Sequence, residues 1–270
     1  MKKTWITLFF ISFYGLQIQA QDTITFKIPR LRVGIEAGWS FLSGGISKPE
    51  QIRENRSYYF DDDFDSHCGF AYNETNSNLF YLGIKPEYTL NKRFMISLGV
   101  RFSFNKITLS SDRNYFLWKV SESETSANYI KIKKISRDYY HIGIPIEIKF
   151  FPSGNDYFVR QYFTWGMAFN FLAGSTGDIS FQNPAMSKYS SDVLKKIEKP
   201  SVFQCSIYAG VGLKIGRMSH PFGNIEILFP VVVFGSDKPN SLSMSSAIGF
   251  GLRTTLQIPV LRNHQLIYND

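Results

Sequence analysis

The chain has 270 residues, of which 44% are hydrophobic and 16% aromatic, and it carries a formal net charge of +8. Beyond the N-terminal segment, no apolar run reaches the roughly 20 residues of a membrane-spanning helix, which excludes a helical membrane protein. The two cysteines, Cys68 and Cys205, form no disulfide framework, and their separation leaves a single bridge open.

The N-terminal segment has the pattern of a secretory signal peptide. A basic start precedes an apolar run over residues 5–16, and Ala20 is a small residue at the expected cleavage site. We therefore expect residues 1–20 to be a signal peptide and residues 21–270 to form a single domain. An N-terminal membrane anchor is the alternative, but the run is shorter than the roughly 20 residues of a spanning helix.

Eight segments beyond residue 20 alternate with a period of two residues, which predicts β-strands. Aliphatic and aromatic residues occupy one face of each segment, while polar residues and ten glycines occupy the other. Short and long connections alternate, as in a membrane barrel with turns at one end and loops at the other. The expected strands are residues 31–41, 79–90, 94–109, 138–150, 159–174, 203–215, 223–231 and 245–258.

The size of the apolar face indicates that it contacts lipid. The interior of an eight-stranded barrel is barely wide enough for side chains and cannot hold the large apolar residues of every strand. A soluble, lipocalin-like barrel with the faces exchanged is the alternative, and it would need such an interior. A strand of about 11 residues tilted near 45° rises about 26 Å, close to the apolar band of a membrane barrel.

We therefore predict an all-β fold: an eight-stranded antiparallel transmembrane up-and-down β-barrel with long outer loops, located in the bacterial outer membrane. Two prolines within the expected strands argue against a regular barrel. Pro86 and Pro145 cannot donate a backbone hydrogen bond, and a closed barrel has no free edge to receive them. We expect β-bulges to accommodate both.

Charged residues on the polar faces are predicted to fill the lumen. Because an unpartnered charge in a narrow interior is very costly, we expect these groups to pair and to close the barrel. The glycines leave space for the long side chains. A channel is one alternative, and acid–base catalysis by the glutamates or by His141 is another. The predicted lumen ion network consists of Arg32, Glu36, Lys85, Glu87, Arg101, Glu147, Lys149, Lys214, Glu226 and Arg253.

Several strand segments resemble those of a known family. Residues 140–150 carry an aliphatic–proline–aliphatic box, and residues 82–88, 209–213 and 249–253 are also similar to strand pieces of the PorT-like outer-membrane β-barrel family. The resemblance implies an eight-stranded barrel without catalytic residues. Some members of that family assist type IX protein secretion, which implies an accessory role of that kind as an alternative function.

The first long loop contains a run of carboxylates. Asp61, Asp63 and Asp65 alternate in a way that suits oxygen ligation of calcium. The EF-hand pattern fails, however, because Ser66 and Tyr72 stand where glycine and glutamate are required. We expect a solvated acidic loop, and we expect neither a metal site nor a cofactor.

The second long loop contains two further strand-like segments, residues 115–120 and 129–135. They predict a hairpin that continues the third and fourth strands above the membrane. An exposed edge of that hairpin offers a route to a protein partner. Folding of the hairpin over the barrel mouth is the alternative.

Basic residues gather in the outer loops. They suit contact with the phosphates of lipid A in lipopolysaccharide, or with a protein partner, and a solvated surface is the alternative. Nucleic acid is a poor partner for a secreted barrel. The candidate contacts are Lys131, Lys133, Lys134, Arg137, Lys195 and Lys196.

These features together predict a non-enzymatic outer-membrane barrel with a closed, ion-paired lumen. We expect it to act as a structural or partner-binding protein through its extracellular loops. A narrow transport channel, an accessory component of secretion and an outer-membrane hydrolase are the alternatives.

Overall fold

Eight long antiparallel strands form one closed sheet in the computed structural model, which describes residues 27–46, 49, 51–53, 73–111, 115–120, 129–235, 240–242, 244–260 and 265–267. The strands are β1 (Leu31–Ile46), β2 (Asn73–Thr89), β3 (Phe94–Leu98 and Val100–Ser111), β4 (Tyr129–Phe150), β5 (Val159–Phe181), β6 (Phe203–Ile215), β7 (Phe222–Gly235) and β8 (Met244–Pro259).

Each strand pairs antiparallel with the next one in sequence, and β8 pairs with β1 to close the ring. The predicted eight-stranded antiparallel up-and-down barrel is confirmed. The connections 90–93, 151–158 and 216–221 lie at one end, which we call the turn end. The connections after β1, β3, β5 and β7 lie at the opposite end, which we call the loop end. The expected signal peptide lies outside the described residues.

Apolar side chains face outward and polar side chains face inward, as the alternation along β4 illustrates. Ile144 and Ile148 are exposed on the outer surface, whereas Glu147 and Lys149 are buried in the lumen. Exposed aliphatic and aromatic residues recur on all the strands of the ring, so the barrel carries a continuous apolar outer face. Among the described residues, no helix has the length and hydropathy to cross a membrane.

The two strand prolines are accommodated without bulges, so that expectation is wrong. Pro86 pairs with Val33 and Pro145 with Ala168, with no register shift at either position. Instead, β3 is interrupted at Gly99, and neither proline has a pairing partner on β3. The proline nitrogens, which carry no hydrogen to donate, therefore lie beside the interruption of the hydrogen-bonded ladder at Gly99. Gly99 N–H still donates to the Pro145 carbonyl at 3.1 Å.

Beyond the apolar face, the strands continue toward the loop end. Phe116–Lys119 pairs with residues 129–132 of β4, which forms the predicted hairpin, and Ile52–Arg53 pairs in turn with residues 117–118. The hairpin edge is therefore partly occupied by the first loop.

A short helical segment follows β5, consisting of a 3₁₀ turn (Pro184–Tyr189) and helix α1 (Ser190–Lys196). The inward side chains of the strand extensions pack against α1 and form a separate hydrophobic cluster, which we call the loop-end cluster. Its buried members are Leu109, Phe116, Trp118, Ile130, Ile132, Ile135, Ile179, Phe181, Val193, Ile197 and Leu242.

Candidate functional site

The ten predicted lumen residues all lie inside the barrel, and none of them is more than 6% exposed. The structure connects eight of them through salt bridges into one cluster, which we call the ion network. Its members are Glu36, Lys85, Glu87, Arg101, Glu147, Lys149, Glu226 and Arg253.

Arg253 on β8 is the centre of the ion network. Its guanidinium forms salt bridges with Glu147 of β4 and Glu226 of β7, and its Nη1 lies 3.6 Å from Glu36 Oε2. Lys85 supports the same carboxylates, because its Nζ lies 3.0 Å from Glu147 Oε2 and 3.5 Å from Glu36 Oε2. These contacts join strands from opposite sides of the ring across the lumen.

Two further cations complete the ion network. Arg101 Nε donates to Glu36 Oε1 at 2.8 Å, and Lys149 Nζ donates to Glu87 Oε1 at 2.5 Å. Lys149 Nζ also lies 3.4 Å from Glu226 Oε1. The ion network thus contains four cations and four carboxylates in mutual contact. Because burial of an unpaired charge costs several kcal/mol, such balance is what allows eight charges to stay inside.

Three lumen tyrosines belong to the same arrangement, and sequence reasoning missed them. Tyr162 Oη donates to Glu226 Oε1 at 2.5 Å, and Tyr208 Oη donates to Glu147 Oε1 at 2.5 Å. The third, Tyr81, lies beneath the Arg101 guanidinium, whose carbon is 4.0 Å from the ring centroid.

The strand glycines explain how these rings fit. Tyr81 is paired with Gly38, Tyr162 with Gly212 and Tyr208 with Gly166 on the neighbouring strands. A Cβ at any of the three glycines would collide with the ring of its partner. The glycines therefore make room for tyrosine rings at least as much as for charged side chains. In the sequence, the available signal was the presence of tyrosines and glycines on the polar faces. Which tyrosine lies beside which glycine depends on the register of the neighbouring strands.

Arg32 and Lys214 lie apart from the ion network, at the turn end. Lys214 Nζ donates to Asp156 Oδ1 at 2.6 Å, and Asp156 Oδ2 accepts the Met218 N–H at 2.9 Å. Arg32 donates to the Met218 carbonyl at 3.1 Å. Arg160, on β5, donates from Nη1 to the Met218 sulfur at 3.5 Å.

These contacts hold the turn 216–221 against the end of the barrel. Gly216, with φ of 118°, permits the chain reversal that a side chain would disfavour. Met218 is 1% exposed and packs with Met95, Phe151, Tyr162 and Phe222. The turn end is thus filled by an apolar plug that the alternation of the strands did not indicate, because Met218 comes from a connection.

Between the ion network and the loop-end cluster lies a cavity of about 90 Å³, which we call the chamber. Its floor contains Arg101, Tyr81 and Tyr208, and its roof contains Leu42 and Ile107, which pack with Tyr139. The wall adds hydroxyl and amide groups from Ser40, Ser103, Asn105, Asn170, Gln204 and Ser206, together with the ring of His141.

Arg137 differs from the other predicted surface contacts and is removed from that set. It is 8% exposed, and its guanidinium donates to the carbonyls of Leu194, Ile197 and Glu198. Leu194 lies in the last turn of α1, where its carbonyl also accepts the Ile197 N–H, and Ile197 and Glu198 follow the helix. Arg137 therefore fixes α1 over the barrel.

The five predicted lysines of the outer loops are exposed. Lys131 Nζ lies 4.7 Å from the centroid of the Tyr115 ring, and Lys196 Nζ donates to the Val120 carbonyl at 3.2 Å. The others are Lys133, Lys134 and Lys195.

The predicted acidic loop, with Asp61, Asp63 and Asp65, lies outside the described residues. Within the described residues, no group of three or more histidine, cysteine, aspartate or glutamate side chains is arranged to hold a metal ion. His141, the alternative acid–base residue, lines the chamber and is separate from the salt bridges of the glutamates.

A scan against protein-family models and a search of curated proteins each return no match. Among solved structures, the N-terminal β-barrel domain of Pseudomonas aeruginosa OprF matches with a TM-score of 0.35 and 10% identity, covering 86% of this chain and 100% of that one. The outer membrane protein OprG from Pseudomonas aeruginosa matches with a TM-score of 0.40 and 9% identity, covering 86% of this chain and 98% of the other. Likeness at this level carries no functional information.

Proposed function

We propose that this protein is a non-enzymatic barrel of the bacterial outer membrane whose lumen is closed and whose loop end is its working surface. In this proposal it acts as a structural or partner-binding protein. The observation that carries the proposal is the filling of the lumen at three successive levels: the Met218 plug, the ion network and the loop-end cluster.

The outer surface supports the membrane location. Exposed apolar residues such as Ile144, Trp165 and Leu252 recur around the ring, and an aqueous surface of this composition would favour aggregation. In lipid, the same apolar side chains contact acyl chains, which are also apolar. A closed sheet also satisfies its backbone groups without water, as a bilayer requires.

The filled lumen argues against the channel alternative. A hydrated path would have to pass eight charged side chains that hold one another across the barrel, and a cluster of apolar residues lies beyond them at each end. Opening such a path would break salt bridges in a buried environment, where loss of one partner costs about 3–5 kcal/mol.

The loop end offers chemistry for two kinds of contact. The exposed Lys131, Lys133, Lys134, Lys195 and Lys196 suit the phosphates of lipid A in the outer leaflet. The hairpin suits a protein partner, and the resemblance to the PorT-like family implies a component of secretion as that partner. Because Ile52–Arg53 already covers part of the hairpin edge, we expect such a partner to bind side chains more than the free backbone.

Planar-bilayer recording tests the closed lumen. The purified full chain, shown by vesicle flotation to be incorporated, should give no steady conductance. Sustained openings of porin size under the same conditions would overturn the proposal.

Binding to vesicles with and without lipid A tests the lipid contact. The variant Lys131→Gln/Lys133→Gln/Lys134→Gln should bind lipid A vesicles more weakly than wild type. Arg93→Gln, a change in the exposed turn 90–93 at the opposite end, is the control and should have no effect. Equal binding by all three proteins would remove lipid A from the proposal.

A further inference from the structure

The residues that line the chamber have the composition of a binding site. A closed lumen does not by itself require such a cavity. A packed barrel of this width is filled by side chains at every level. Here the side chains leave a partly open cavity of about 90 Å³, lined by Arg101 on one side and by Leu42 and Ile107 on the other. A polar cavity needs roughly 10–15 Å³ of such space to hold one water molecule, so the chamber has room for more than one.

Two side chains present polar atoms that nothing in the described chain satisfies. Tyr81 Oη and His141 Nε2 both have no hydrogen-bond partner among the described residues, although each residue is only 4% exposed. A third such atom is Arg101 Nη2, which lies 3.6 Å from Glu147 Oε1. Buried polar groups in proteins are nearly always hydrogen-bonded to protein or to water, and all three of these residues line the chamber.

The charges around the chamber select an uncharged molecule. Its floor is the top of the ion network, in which four cations already contact four carboxylates. Arg101 lines the chamber and is already paired with Glu36 and Glu147, so an added anion would find no free cation and an added cation would meet Arg101. A hydroxyl group suits the site, since it both donates and accepts, as the tyrosine hydroxyl and the imidazole nitrogen require.

We propose that the chamber is a binding site for small uncharged hydroxyl compounds, either ordered water or a polyol of three carbons, held by Tyr81 and His141. Leu42 and Ile107, which pack with Tyr139, line the chamber on the side of the loop end.

Crystallography of the full chain in detergent tests the proposal, using crystals grown with and without glycerol. We expect density within about 3.2 Å of Tyr81 Oη and His141 Nε2. Separate peaks that persist in glycerol identify water as the source, whereas continuous three-carbon density identifies a polyol. A chamber that takes up xenon and shows no polar density would overturn the proposal, because dry apolar cavities bind xenon. An anomalous bromide peak at Arg101 would also overturn it.

Matched variants give the second arm of the test. Tyr81→Phe/His141→Phe keeps both rings and should lose the density at both positions. Tyr140→Phe changes an outward-facing tyrosine of β4 and should leave the density unchanged. Should the double variant fail to fold, Tyr81→Phe alone should remove the peak near that ring. Unchanged density in a folded variant contradicts the roles of Tyr81 and His141.

Discussion

At the scale of single residues, the lumen depends on pairs that face each other across neighbouring strands. Gly166 and Tyr208 are the clearest pair, since they share a register position and the tyrosine hydroxyl reaches Glu147. The alternation of the sequence placed both residues on the polar face. It could not show that one makes space for the other, because that relation depends on the alignment of β5 with β6.

Gly166→Ala should destabilise the barrel by about 1–3 kcal/mol, the usual cost of overpacking. A Cβ at this position would lie 2.7 Å from the Tyr208 ring and 2.8 Å from Glu147 Cγ, so the substitution disturbs both the ring and the ion network. The midpoint of urea unfolding in detergent measures the effect. Gly223→Ala is the control, because a Cβ there meets no atom within 4 Å. Equal effects at the two glycines would contradict this packing.

Arg253→Ala should destabilise the barrel by about 3–5 kcal/mol, because it leaves Glu147 and Glu226 buried without their main partner. The same unfolding midpoint measures the loss, and Arg93→Ala at the exposed turn end is the control. The double variant Arg253→Ala/Glu147→Ala should lose less than the sum of the two single variants, since the residues are in direct contact. Strict additivity would argue against the ion network.

At the scale of elements, the sequence predicted the central parts of the strands and the hairpin segment 129–135, but it did not predict that β4 and β5 run without interruption to the loop end. The expected segments 138–150 and 159–174 lie within β4 and β5, but these strands continue to Tyr129 and Phe181. The reason is physical. The inner face changes from polar to apolar near the loop end, and at residues 135–137 three successive residues of β4 are buried, so the period-two contrast disappears.

The loop-end cluster should behave as a unit separable from the barrel. Trp118 is 1% exposed at its centre, and Trp118→Ala should remove about 3–5 kcal/mol of local packing. The ion network inside the barrel is formed by residues outside the loop-end cluster, so we expect the barrel to stay folded in this variant. Limited proteolysis should show faster cleavage in the hairpin, while the heat-dependent shift on gel electrophoresis stays unchanged.

Leu117→Ala, on the opposite face of the same strand, is the control for Trp118→Ala and should not increase proteolysis. Loss of the whole barrel in the Trp118 variant would show that the cluster and the ion network form one cooperative unit.

The candidate site, like the strands, could be predicted only in part from the sequence. Charged residues on polar faces indicated the ion network before any register was known. The plug was hidden because Met218 comes from a turn, and the role of Arg137 was hidden because its partners are backbone carbonyls at and just after the end of α1. Contacts made by connections or by backbone atoms leave no periodic pattern in a sequence.

At the scale of the whole molecule, the account requires the apolar outer face to lie in acyl chains. Ile144→Arg should therefore destabilise the protein in bilayers by about 2–4 kcal/mol if this position is near the midplane. Refolding yield into lipid vesicles as a function of urea measures the change. Ser180→Arg, at an exposed position of β5 in the extension toward the loop end, should change stability by less than about 0.5 kcal/mol.

The most direct test is quenching of tryptophan fluorescence by lipids with brominated acyl chains. The predicted mature chain contains Trp39, Trp118 and Trp165, and variants that keep one of them and carry phenylalanine at the other two separate their signals. Trp165 is 51% exposed on the outer face, whereas Trp118 is enclosed in the loop-end cluster. The account predicts strong quenching of Trp165 in reconstituted vesicles and little quenching of Trp118. Equal protection of both tryptophans from the brominated chains would contradict it.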